Sequence, residues 1–65
     1  MNKDWVLAYS SISEADVYLI KQMLENNNIE SVILNKQDSV YKNLGEIELY
    51  VLRKDVVRAK ARIQN

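Results

Sequence analysis

The stretch Glu46-Ile47-Glu48-Leu49-Tyr50-Val51 alternates strictly between aliphatic side chains and charged or phenolic ones. Successive side chains on a strand point to opposite faces, so this period of two predicts a half-buried β-strand. Ile47, Leu49 and Val51 are expected to face a core, with Glu46, Glu48 and Tyr50 facing out. The chain has 65 residues, so this strand has to supply a large part of whatever core forms. A domain of that size buries only ~60% of the surface its unfolded chain would expose. A deep pocket walled by its own residues is therefore not expected, and a site would be shallow or completed by a partner.

The other elements are read around that strand. Asp4-Trp5-Val6-Leu7-Ala8-Tyr9 is a short apolar run rich in aromatic and β-branched types, which predicts a strand covered at least partly on both faces. Ser11-Ile12-Ser13-Glu14 has capping-box spacing and places a helix start at Ser11. Ile12, Ala15, Leu19, Ile20 and Met23 then recur at helical spacing as an apolar stripe, widened by Val17, Tyr18 and Leu24. Asn26-Asn27-Asn28 should end this helix, because asparagine tolerates the left-handed conformation and Ile29 can fold back on Leu24. A second strand is expected over 30–35, a polar loop with Gly45 over 37–45, and a last helix over 54–64 with Val56, Ala59 and Ile63 inward.

The order is β-α-β-β-α. A right-handed β-α-β crossover followed by a hairpin strand puts the third strand between the first two. The predicted fold is α+β: a three-stranded antiparallel sheet of order 1-3-2 with two helices on one face, ferredoxin-like but lacking the fourth strand. Without proline, low-complexity runs or internal repeats, residues 1–65 read as a single domain. The first strand becomes an apolar free edge. Such edges are normally covered, so Trp5, Leu7 and Tyr9 are candidates for pairing with a second copy or a partner.

Composition bounds the chemistry. There is no cysteine and no histidine, which removes thiol nucleophiles, disulfides, thiolate zinc sites and an imidazole base. Hydrophobic residues make up 48% and charged residues 28%, a globular balance. A domain this small without disulfides points to a reducing cytosol, and no apolar window approaches a membrane span. Net charge is zero but uneven. Residues 53–65 carry Arg53, Lys54, Arg58, Lys60 and Arg62 against Asp55, and the preceding residues are acidic by the same margin. Lys54, Arg58 and Arg62 lie at helical spacing, which most simply makes a solvated basic face.

Three motifs carry possible chemistry. Asn35-Lys36-Gln37-Asp38 after an apolar strand has the form of a guanine-recognition signature, but no glycine-rich phosphate loop accompanies it. A polar turn is the simpler reading. Glu46 and Glu48 share a strand face, yet nothing supplies a base or further metal ligands, so neither a metal site nor a cofactor is expected. Trp5, Tyr9 and Tyr50 would stack nucleic-acid bases only on a shared open face. The neighbouring glutamates would repel phosphates there, so nucleic acid is not an expected partner.

The segments Trp5-Val6, Glu14-Ala15, Lys21-Gln22-Met23-Leu24-Glu25 and Ile29 resemble a small bacterial family, the putative prokaryotic signal-transducing proteins. Most specific to the resemblance are Val32-Ile33-Leu34-Asn35-Lys36-Gln37-Asp38-Ser39, Tyr41, and Gly45-Glu46-Ile47-Glu48-Leu49-Tyr50-Val51. The family often has glycine where this chain has Asn28. The resemblance implies a PII-like, ferredoxin-type fold and a regulatory role. It carries over no nucleotide motif residue by residue, and fold alone does not fix function.

These readings converge on a non-catalytic cytoplasmic module that binds a protein partner or small ligand. The expected contact surface is Asn35, Lys36, Asp38, Ser39 and Tyr41 together with Glu46. A homodimer through the first strand is a further expectation. The alternative is a nucleotide- or anion-binding sensor using Lys36, Lys42 and the basic C-terminal segment.

Overall fold

A computed structural model of the chain describes residues 4–36 and 45–64. Strand β1 spans Trp5–Ser11, helix α1 Glu14–Asn26, strand β2 Ser31–Asn35 and strand β3 Ile47–Leu52. A 3-10 turn over Arg53–Asp55 leads into helix α2, Val56–Gln64. The three strands form one sheet of order β1-β3-β2, with both pairings antiparallel. This is the β-α-β-β-α, 1-3-2 architecture the alternating strand demanded.

The core is built on the inner face of β3. Ile47, Leu49 and Val51 are completely buried and cluster with Val17 and Leu24 of α1, Ile29, and Ala59 of α2. Both helices therefore lie on the same side of the sheet. Burying an aliphatic side chain of this kind contributes ~1.5–3 kcal/mol. Six of the seven fully buried apolar residues among those described are of that kind, and Ala59 adds less. Val56 and Ile63 of α2 pack partly buried against the cluster, as their spacing predicted.

Two local expectations are corrected at the start of α1. The N-cap is Ser13 rather than Ser11: its hydroxyl accepts the Asp16 amide at 3.3 Å, and the helix begins at Glu14. Ser11 remains in β1 opposite Ile47, and its hydroxyl accepts the Ser13 amide at 3.0 Å. The sheet claims Ser11, so it cannot open the helix. The apolar stripe is also rotated. Val17 and Leu24 are its buried centre, with Ile20 and Met23 beside them, whereas Ile12 and Leu19 are 74% and 65% exposed.

The helix ends as the asparagine run predicted. Asn28 takes the left-handed conformation with φ of 63°. Its amide donates to the Glu25 carbonyl at 3.1 Å, and the Ile29 amide donates to the Leu24 carbonyl at 3.0 Å. These two bonds, with Leu24 and Ile29 both fully buried, make a Schellman closure. Lys21 fastens the next element: its ammonium donates to the Ser31 carbonyl at 2.7 Å and pairs with Glu25 at 2.8 Å.

Candidate functional site

With both helices on one side, no helix or strand among the described residues covers the other face of the sheet. Trp5 and Leu7 of β1, Glu48, Tyr50 and Leu52 of β3, and Val32 and Leu34 of β2 belong to it, because they lie between or opposite one another in register. The row Leu7–Tyr50–Val32 crosses all three strands. Tyr9 is not part of it. The β1–β3 register shifts between Leu7 and Tyr9, and one extra residue in a strand reverses which face the following side chains take. Tyr9 thus stands opposite Leu49 and packs against the core. Trp5, Leu7 and Tyr9 therefore share an edge strand but not a face, and the aromatic set Trp5, Tyr9 and Tyr50 is not brought together.

One polar chain crosses this face. Lys36 pairs with Glu48 at 3.2 Å, and the Tyr50 hydroxyl donates to the other Glu48 oxygen at 2.7 Å. The Glu48 side chain is only 14% exposed, and its carboxylate is served by a cation and a hydroxyl. Accepting the phenol's proton bond, the Glu48 carboxylate raises the Tyr50 pKa above its ordinary 10.0, with desolvation and charge repulsion adding to the effect.

The base of the β2–β3 hairpin is held as tightly. The Lys36 amide donates to the Glu46 carbonyl at 3.2 Å. A Cβ on Gly45 would stand 2.6 Å from the Lys36 carbonyl oxygen, so the chain needs its only glycine here for a close backbone approach. Asn35 lies on the helix side opposite Ile47, and Lys36 and Glu46 follow at the same sheet end. Of the residues expected to form the contact surface, Asn35, Lys36 and Glu46 thus lie at one end of the sheet, with Asn35 on its helix side and the Lys36 side chain on the other face. Asp38, Ser39, Tyr41 and Lys42 lie outside the described residues.

The opposite end of the sheet holds a shallow depression of about 500 Å³ lined by Asp4, Leu52, Arg53 and Lys54. Nearby, Arg58 pairs with the buried Asp55 at 3.0 Å and reaches the Asn27 carbonyl at 3.4 Å. That cation joins the start of α2 to the end of α1, a structural use that its place in a basic stripe did not reveal. The described residues hold no cluster of three acidic side chains able to bind a metal. None of their helices is long and apolar enough to cross a membrane.

Residues 5–65 match the family described as "Putative prokaryotic signal transducing protein". The chain belongs to that family. Neither the curated proteins nor the solved structures give a match. Membership covers every element from β1 to α2, so the hairpin base and the open sheet face are both parts of the family's domain.

Proposed function

We infer that the domain is a non-catalytic interaction module in prokaryotic signal transduction, working in the cytoplasm and recognising another protein through the end of its β2–β3 hairpin. The observation that supports this most is the anchoring of that end. Gly45 is packed on the Lys36 backbone, Lys36 is paired with Glu48, and Glu48 is held in turn by Tyr50. A hairpin fixed at its base presents the polar groups of Lys36 and Glu46, with Asn35 at the same end on the helix side, with little ordering cost on binding. Asp38, Ser39 and Tyr41 follow Lys36 in the sequence and are assigned to the same recognition role. Specificity comes from these polar groups, and affinity from the apolar side chains next to them.

The sensor alternative is less well supported, because Lys36 and Arg58 already face carboxylates. The chain contains neither histidine nor cysteine, and the carboxylate of Glu48 is already held by two neighbours. An acid–base role for it has no support.

The test is comparative capture by in-cell crosslinking, using the wild-type chain and an Asp38→Ala/Tyr41→Ala variant. A crosslinked protein lost in the variant, whose thermal melt is unchanged, supports the reading. An identical crosslinked set contradicts it. A thermal-shift screen of nucleotides at millimolar concentration runs in parallel. Binding at 100 times Kd would add ~2.7 kcal/mol to stability, and a rise of that kind would favour the sensor instead.

A further inference from the structure

Among the described residues β2 pairs with β3 alone, in a register without shifts. The other margin of the sheet, β1, is interrupted between Leu7 and Tyr9, and such irregularities weaken an edge as a template for further pairing. The outer margin of β2 is the more regular of the two.

The direction of its backbone groups follows from two bonds. Residues of an antiparallel strand turn their amide and carbonyl alternately toward one neighbour and away from it. The Lys36 amide donates to the Glu46 carbonyl at 3.2 Å, so Leu34 and Val32 also turn toward β3, whereas Ser31 and Ile33 turn outward. Lys21 agrees with that phase, because its ammonium reaches the Ser31 carbonyl at 2.7 Å from α1. A carbonyl oxygen has two lone pairs, so this bond does not exhaust it. The amide and carbonyl of Ile33 therefore lie together at the middle of the outer margin.

The sequence around them is complementary to itself. In Glu30-Ser31-Val32-Ile33-Leu34-Asn35-Lys36, an antiparallel copy centred on Ile33 sets Glu30 against Lys36, Ser31 against Asn35, and Val32 against Leu34. We propose that β2 pairs in this register with β2 of a second copy of the chain, joining two three-stranded sheets into one. The two-fold axis stands normal to the sheet between the two Ile33 residues, each donating its amide to the carbonyl of the other. Val32 and Leu34, 37% and 39% exposed, meet across the seam on the face away from the helices. Glu30 is exposed and meets Lys36 of the second copy, whose ammonium has three donors and so keeps its bond to Glu48. A parallel pairing would oppose Glu30 to Glu30 and Lys36 to Lys36, and a slip of two residues would lose both charge contacts. Charge and shape thus select one register, and they select a second copy over an unrelated strand. The seam is five residues long, so the dimer is expected in the micromolar range. Lys36 belongs to this seam and to the hairpin end alike. The seam is tested at Glu30, Val32 and Leu34, and the recognition reading at Asp38 and Tyr41, so either fails alone.

The chain has no cysteine, so introduced disulfides report the register. Full-length Val32→Cys and Leu34→Cys chains are oxidised separately and as a mixture, with circular dichroism to check folding. In the proposed register, positions 32 and 34 of opposite copies form a non-hydrogen-bonded pair with Cα atoms ~4.5 Å apart. Two copies of the same position stand on a diagonal of ~7–8 Å. The mixture should therefore form covalent dimer at least ~tenfold faster than either variant alone. In sedimentation equilibrium the wild type should be a dimer at high micromolar concentration, and Glu30→Lys should weaken it roughly tenfold with an unchanged melt. The Ile33 amide, quick to exchange in the dilute chain, should slow as the dimer forms. A monomeric wild type overturns the proposal and assigns the margin to a strand of another protein. A mixture that crosslinks no faster than the single variants overturns it too, as does a dimer indifferent to Glu30→Lys. Either result with a dimeric wild type places association on another surface, such as the edge of β1.

Discussion

Gly45 lies so close to Lys36 that a Cβ added there would stand 2.6 Å from the Lys36 carbonyl oxygen and 2.8 Å from its carbon. The contact is with backbone, which cannot swing aside as a flexible side chain would. Gly45→Ala should therefore displace the hairpin base and destabilise the domain by ~1–3 kcal/mol. Urea denaturation measures the change. A midpoint equal to that of the wild type would show that the close approach has no energetic weight.

The rotated stripe of α1 gives a sharper contrast. Leu24 is fully buried whereas Ile12 is 74% exposed, although both belong to apolar stripes in the sequence. Leu24→Ala should cost ~2–5 kcal/mol. Ile12→Ser in dilute solution should fall within about 0.5 kcal/mol of the wild type. Comparable losses at the two positions would mean that α1 presents a different face to the sheet.

Asn28 bears the left-handed turn, with φ of 63°. Asparagine reduces the penalty of that conformation but does not abolish it. Asn28→Gly is expected to hold or slightly raise the melting temperature, and Asn28→Ala to cost ~1–2 kcal/mol. Equal stability of the two variants would argue against the Schellman closure.

The Tyr50–Glu48 contact predicts a pH dependence. Tyr50 ionises above its ordinary 10.0 because Glu48 accepts its proton bond. The folded state thus holds the phenolic proton more firmly than the unfolded chain does. This contribution is fully present below pH ~10 and is lost as pH rises through the raised folded value. Ultraviolet titration of the phenolate, with Tyr50→Phe as reference, should show that the Tyr50 contribution titrates above 10.0. Glu48→Gln should move it back toward 10.0. An unchanged titration would contradict the hydrogen bond.

Some of this was readable from the sequence. The alternation over Glu46–Val51 identified Ile47, Leu49 and Val51 as core, and all three are fully buried. Asn28 was readable because few residues other than glycine tolerate its backbone geometry. The start of α1 departs from the capping-box spacing at Ser11 because Ser11 pairs with Ile47 in the sheet, which leaves Ser13 to cap the helix. The inward face of α1 was ambiguous because the helix carries two apolar stripes, and periodicity alone does not say which meets the sheet. Lys21 gave no signal, since its main partner is a backbone carbonyl ten residues away. The outward set on β1 was obscured by the register shift that moves Tyr9 to the other face.

The most direct measurement is native-state amide hydrogen exchange, resolved by residue. If β3 is the middle strand, bonded to β1 on one side and β2 on the other, its amides from Ile47 to Leu52 should exchange slowest in the protein. Outward amides of β1 and β2 should exchange much faster. Amides of β3 exchanging as fast as those outer ones would contradict the sheet order, and with it the anchored hairpin on which the proposed recognition surface is built.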